Sequence, residues 1–217
     1  MYIYIIRHGE TRSNVEGLLQ GWTNDDLNEN GIELAKITGL GMRDIKFDLA
    51  ISSPLKRALK TAEIVLEYSG NKDIKIIRDN RIKEINMGDW EQKKFRPGEC
   101  EIPIKECKAF FSNAFNFSGC PNGENIEQVC KRTQEFLKEL ASREDLGDKN
   151  ILVATHGVAL RGMLNFLYED PSDYWHGHVP YNCAVNIIKV ANGKMKLIAD
   201  DKVYYDSSKC IDRYANY

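Results

Sequence analysis

Tyr2-Ile3-Tyr4-Ile5-Ile6-Arg7-His8-Gly9-Glu10-Thr11 changes character halfway along. Its first five residues are β-branched or aromatic, the composition of a strand buried on both faces. A cation, an imidazole and a glycine follow at once. Ligands of an open parallel sheet sit beyond the carboxyl ends of the strands, so Arg7 and His8 stand where a ligand would be met. A second apolar run, Ile151-Leu152-Val153-Ala154-Thr155, ends in the same dipeptide, His156-Gly157. Only four histidines occur in the 217 residues, and two of them close such runs.

Around these runs strands and helices alternate, the pattern of an α/β fold with a largely parallel sheet. A strand is expected over 2–7, then a polar loop over 9–30 holding one helical turn, then a helix over about 30–43 behind Asn28. Residues 48–52 read as a short strand. Ser53-Pro54 supplies an N-cap and a proline for the first helical position. Leu55, Ala58, Leu59, Ala62, Val65 and Leu66 then share one helical face. Residues 74–77 read as a strand, 79–99 as irregular, and 107–115 as a helix carrying Phe110, Phe111 and Phe115. After Gly123 the stripe Ile126, Val129, Cys130, Thr133, Phe136, Leu137 and Leu140 marks the clearest helix. The run 158–167 is apolar nearly all round, so its helix should be buried. Residues 183–190 and 194–200 flank Asn192-Gly193, a two-residue hairpin signal. The last dozen residues read as a surface tail. With no repeat, low-complexity tract or linker, 1–217 is expected to be a single domain.

A chain of this length can bury roughly 70% of its unfolded surface and needs no covalent staples. Its net charge of −2 argues against a nucleic-acid coat or an anionic-membrane binder, so basic residues must act locally. The six cysteines contain no C-x-x-C pair and no zinc-like spacing with histidine. The apolar run before Arg7 is too short for a signal core or a membrane span, and a reduced, cytoplasmic setting is expected.

If Ser53 caps its helix, unpaired backbone N–H groups and the positive end of the helix dipole face the ligand side of the sheet. Arg57, one turn in, can reach the same place, and Arg7 adds a second planar fork suited to phosphate oxygens. The natural occupant of such a pocket is a phosphoryl group. Neighbouring cations depress a histidine's pKa, and a neutral imidazole with Nδ1–H fixed by a carbonyl presents Nε2 as a nucleophile. In-line phosphoryl transfer also needs a proton for the leaving oxygen. Glu84, Asp89 and Glu91 are the candidate donors, and spacing does not rank them.

Four segments, in order, carry a family resemblance. Arg7-His8-Gly9-Glu10-Thr11, with Asn14 and Gln20-Gly21 after it, resembles the N-terminal signature of the histidine phosphatase superfamily, which includes cofactor-dependent phosphoglycerate mutases and many phosphatases. Ser53 to Ala62 is similar to the second motif, Lys83 to Glu91 to the third, and Ala154-Thr155-His156-Gly157 to the last. The resemblance implies a three-layer α/β/α sandwich, phosphoglycerate mutase-like, whose mostly parallel central sheet has one antiparallel strand. It implies catalysis with neither metal nor cofactor. His8 would become the phosphohistidine, Arg7, Arg57 and His156 would hold phosphoryl oxygens, and Glu84 would donate the proton. Asn14, Gln20, the Gly21 amide and Gly157 would line the pocket.

Mutases of this type are similar to one another in a His-Tyr-Gly after the acid and a paired-arginine insert. This chain has Asn86-Met87-Gly88-Asp89-Trp90 instead, and its insert of about 95–120, expected to lie over the active site, has a single arginine, Arg96, and several phenylalanines. Gly88-Asp89-Trp90-Glu91 and Gly123-Glu124 resemble the phosphatase branch, although Asn125 and Gln92 depart from it. The expected activity is therefore hydrolysis of a small phosphorylated metabolite, with a mutase or a catalytically silent phospho-ligand module as alternatives and a homodimer as the assembly. Trp90, Phe110, Phe111 and Phe115 are expected in the core. His176 and His178 are expected to be structural, and Lys93-Lys94-Phe95-Arg96 a solvated charge run.

Overall fold

The computed structural model describes residues 1–96 and 98–211. Among them six strands, β1 (Tyr2–Arg7), β2 (Leu49–Ser52), β3 (Ile76–Arg78), β4 (Asn150–Thr155), β5 (Val185–Ala191) and β6 (Lys194–Lys202), form one sheet in the order β3-β2-β4-β1-β5-β6. β5 pairs antiparallel with both neighbours and the other pairings are parallel, so one strand runs against the rest.

Side chains alternate across a strand, and here both faces are apolar. Ile3 and Ile5 of β1 and Ile151 and Val153 of β4 pack with Phe136, Leu137, Leu160 and Met163. The last four belong to α5 (Ile126–Ala141) and α6 (Gly157–Leu164). Ile6, Leu152 and Ala154 point the other way, onto Leu34, Ala35 and Ala62. Those come from α2 (Glu29–Gly41) and α3 (Lys56–Tyr68). The result is a three-layer α/β/α sandwich with a mostly parallel sheet. Each fully buried isoleucine or leucine contributes about 1.5–3 kcal/mol of transfer free energy, so the alternation fixes register as well as layers. A third cluster lies beyond the strand ends. In it α4 (Ile104–Ser112) and the 3₁₀ turn Ala114–Asn116 pack on Trp90, Val158, Tyr174 and Trp175.

Several boundaries differ from the sequence expectation. α3 begins at Lys56, with Leu55 as an N-cap that makes no side-chain bond. The Lys56 N–H is taken by Asn24 Oδ1 at 2.7 Å, so Ser53-Pro54 stands outside the helix and its capping is done from a distant loop. β3 starts two residues later than the apolar run 74–77, because its register partners on β2 are Ala50, Ile51 and Ser52. The helix expected over 107–115 starts earlier and breaks at Asn113, where φ is −154° and ψ 78°. α6 stops at Leu164 and tightens into a 3₁₀ turn over Asn165–Leu167. The polar loop does hold one short helix, α1 (Arg12–Glu16), closed by a Thr11/Asn14 capping box.

Asn192 and Gly193 both have positive φ, 51° and 69°, as a type I′ turn between β5 and β6 requires. Of the expected tail, residues 206–211 include a 3₁₀ turn, and 212–217 lie outside the described residues. Among the described residues no helix is long and apolar enough to cross a membrane.

Candidate active site

β1 and β4 are adjacent and parallel, and their last residues, Arg7 and Thr155, are partners in register. The next residue of each strand is therefore a histidine at the same level. The His8 and His156 rings stand 5.2 Å apart between centroids. His8 N–H donates to Thr155 O, which carries the ladder one step past β1. Gly9 then turns the chain against the start of α2. A Cβ on Gly9 would lie 2.5 Å from Gly31 O, a separation only glycine permits.

Each imidazole has a defined second partner. His8 Nδ1 lies 2.7 Å from Gly9 O, so that nitrogen carries the hydrogen and Nε2 keeps its lone pair. Burial, then the charges of Arg57 and Arg7, holds His8 well below the ordinary histidine pKa, and the ring is neutral. His156 is depressed by burial first and Arg57 second. Its Nε2 lies 2.8 Å from Ser53 Oγ, and Ser53 Oγ already accepts from Leu55 N–H at 3.3 Å. The hydroxyl hydrogen is then available to Nε2, which puts the proton of a neutral His156 on Nδ1. That nitrogen is buried and has no hydrogen-bond partner in the protein. Thr61 Oγ1 accepts from Gly9 N–H at 2.9 Å, and Asn182 Nδ2 donates to His8 O at 3.0 Å. No local sequence signal marks Ser53 or Asn182 for these roles.

Arg57 is fully buried, and burial brings its pKa down to about 10, still a cation at neutral pH. Its Nη1 donates to Thr23 O at 2.7 Å and its Nη2 to Gly21 O at 2.8 Å and Gln20 O at 3.3 Å. Most of the guanidinium thus holds the 20–23 loop, while Nε has no partner in the protein. Arg7 Nη1 donates to Pro180 O. Gln20 and Asn14 are linked through Gln20 Oε1, which accepts from Thr11 Oγ1 at 3.0 Å and lies 3.5 Å from Asn14 Nδ2.

Glu84 is the acid that meets this cavity. Its Oε1 accepts from Ile85 and Ala159 N–H at 3.0 and 2.9 Å, and its Oε2 accepts from Val158 N–H at 3.2 Å. The carboxyl therefore sits on the N-terminus of α6, one residue past His156. Those amides and Arg57 favour the charged form, but burial outweighs them and the pKa is raised. The loop carrying Glu84 is clamped from α5. Arg132 donates to Lys83 O and Glu84 O at 2.6 and 2.9 Å and pairs with Glu124 at 2.8 Å. Asp89 instead bonds Asn122.

One cavity brings together Arg7, His8, Asn14, Gln20, Glu84 and Gly157 of the expected residues. Arg57 and His156, also expected there, are not among its lining residues, and His156 is placed by its ring contact with His8. Gly21 departs from the expectation. Its amide donates to Glu91 Oε2 at 3.1 Å, and the same carboxylate accepts from Trp22 N–H and from the Thr23 hydroxyl at 2.6 Å. An internal anion thus fills the amide cradle meant for the ligand.

The aromatics divide differently from the expectation. Trp90 and Phe110 are core as expected, Phe110 and the half-buried Phe111 also line the cavity with Phe95 and Trp175, and Phe115 is exposed. Arg96 turns away onto the Asn14 and Val15 carbonyls at the end of α1. His176 stacks on Tyr168, and His178 stacks on Tyr181 and lies 3.4 Å from Asp201.

A family model described as the histidine phosphatase superfamily, branch 1, matches residues 3–200. A 2,3-bisphosphoglycerate-dependent phosphoglycerate mutase of Cytophaga hutchinsonii is 31% identical over 176 residues, which are 80% of this chain and 81% of that protein. The adenosylcobalamin/alpha-ribazole phosphatase of Salmonella typhimurium is 28% identical over 186 residues, 84% of this chain and 88% of that protein. Among solved structures, Bacillus stearothermophilus YhfR aligns with a TM-score of 0.84 at 30% identity, covering 93% of this chain and 97% of that one.

Proposed function

The chain belongs to the histidine phosphatase superfamily, and on that premise we propose that it is a phosphomonoester hydrolase turning over through a phosphohistidine at His8. The observation that carries this is a neutral His8 with its Nδ1 proton committed to Gly9, in one cavity with a carboxyl whose pKa is raised.

The substrate's phosphoryl group rests between Arg7, Arg57 Nε and His156 Nδ1–H, whose charges and hydrogens meet the three equatorial oxygens. His8 Nε2 attacks in line, the N–P bond forms, and the ester P–O bond breaks. The departing oxygen takes the proton of Glu84, so the alcohol leaves neutral. Glu84, now a carboxylate, removes a proton from water as that water attacks phosphorus. The N–P bond breaks, Glu84 is reprotonated, His8 is neutral again and inorganic phosphate departs. The guanidiniums of Arg7 and Arg57 supply the positive charge and His156 Nδ1–H adds a neutral donor, so turnover should persist in EDTA.

Rapid acid-free quenching with a ³²P-labelled substrate tests the central step. Wild-type protein should retain acid-labile label, and His8→Ala should retain none while keeping its circular dichroism spectrum. Undiminished label in that variant sinks the assignment. The mutase among the relatives supports a second reading, in which the phosphoryl group returns to an acceptor alcohol. Conversion of 3-phosphoglycerate to its 2-isomer in the presence of a bisphosphoglycerate primer, faster than phosphate release, would favour it.

A further inference from the structure

Taking the phosphatase reading as given, we infer that the ester group this site accepts is an uncharged aromatic or bulky apolar one, seated against Phe111 and Trp175. The cavity that holds His8 and Glu84 continues onto Leu19, Phe95, Phe110, Phe111, Trp175 and Val179. Phe95 and Phe111 lie 4.9 Å apart at 31°, and Phe111 stacks on Trp175 at 6.2 Å and 30°. Phe110 closes the back of the group edge-on to Phe95 and Phe111. The Trp175 indole N–H is spent on Phe110 O at 2.6 Å, so the ring offers the cavity no donor. Phe95, Phe110 and Trp175 are buried, whereas Phe111 is half-buried.

The charge inventory points the same way. Among the described residues lining the cavity, Arg7 is the one guanidinium or ammonium and Glu84 the one carboxyl. Arg7 belongs to the phosphoryl group. A substrate bearing a carboxylate or a second phosphate would desolvate that charge against phenyl rings and a carboxyl group, with no compensating cation. Of the basic cluster, Arg96 is engaged with the end of α1 and Lys94 with Glu99 at 3.2 Å, and Lys93 does not line the cavity. The amide cradle of residues 21–23 is filled by Glu91. An aromatic ring, by contrast, replaces water against apolar faces, a gain of about tenfold to a hundredfold in affinity.

The test uses alkyl phosphates, whose leaving alcohols are similarly basic, so that the comparison reports the pocket rather than the leaving group. For the wild-type protein kcat/KM on 2-phenylethyl phosphate should exceed that on phosphoserine and on ethyl phosphate by at least about tenfold. Calorimetry with 2-phenylethylphosphonate and 2-carboxyethylphosphonate, which cannot turn over, should show the same order. Phe111→Ala should shrink the ratio toward one, and Phe111→Arg should invert it toward the carboxylate compound. Equal binding of the two phosphonates, or preference for the carboxylate, overturns the inference even if every ester is hydrolysed. Preference for the phenyl phosphonate by a protein that hydrolyses no ester supports the pocket and overturns the phosphatase reading instead.

Discussion

His8 and Glu84 are both buried, and burial drives their pKa values in opposite directions, one down and one up. That divergence favours the unprotonated base and the protonated acid together, as a nucleophile and a proton donor require. The pH profile of kcat/KM should therefore hold its plateau below pH 6.5, where an ordinary histidine would be lost, and fall on the alkaline side as Glu84 ionises. Glu84→Gln should remove that alkaline limb. It should also slow alkyl phosphates by about a hundredfold or more while sparing p-nitrophenyl phosphate, whose leaving group hardly needs a proton. Equal losses on both esters would contradict the acid role. At this scale the sequence was informative where a side chain's identity sets its chemistry, as with Arg7 and His8, whereas Glu84 was separated from Asp89 and Glu91 by the resemblance alone. The sequence was silent where a partner decides. Nothing near Gly21 announces that Glu91, 70 residues away, takes its amide, and Ser53 looks like a helix cap until His156 is seen beside it.

Two elements share one end of the site. α6 begins at Gly157 and its first amides hold Glu84, so the second imidazole and the acid are both referenced to the β4–α6 junction. From the other side Arg132 on α5 donates to the carbonyls of residues 81, 83 and 84 and pairs with Glu124. Removing one partner of this partly buried, hydrogen-bonded pair leaves the loop carbonyls without their donor. Arg132→Ala should lower kcat on alkyl phosphates by tenfold or more, with acid-labile labelling from p-nitrophenyl phosphate largely kept. Loss of both together would mean the clamp supports the fold rather than the acid. The helical stripe of α5 was legible from its period, and with it the apolar face, but Arg132 lay among ordinary surface charges. α3 was legible in extent and misjudged in its start, because Asn24 satisfies a helix N–H that local sequence had assigned to Ser53. Long-range capping leaves no mark at the helix itself.

For the molecule as a whole, folding excludes protons from two imidazoles and retains one on a carboxyl. Below about pH 6.5 the unfolded chain protonates His8 and His156, whose native pKa values burial and Arg57 lower, while burial raises that of Glu84. The two imidazoles bind more protons unfolded than folded, Glu84 opposes them, and the histidines' contribution to stability falls as pH drops below that point. His8→Gln should flatten the pH dependence of the urea unfolding free energy there by up to about 1.4 kcal/mol per pH unit. An unchanged slope would show that His8 titrates alike in both states. The sandwich itself was readable from alternating apolar strands and the β5–β6 hairpin from Asn192-Gly193, yet the strand order and the antiparallel pairing of β5 with β1 were not, since periodicity carries no direction. The wall made by Phe95, Phe110, Phe111, Trp175 and Val179 contributes no strand to the sheet, while Arg7, His8, His156 and Glu84 hang on the ends of β1 and β4 and on the Glu84 loop. Ancestry can therefore act on the two halves separately. Transplanting the wall into a relative should carry over its taste for substrates and leave the recipient's chemistry as it was, which is how one inherited reaction comes to serve unrelated metabolites.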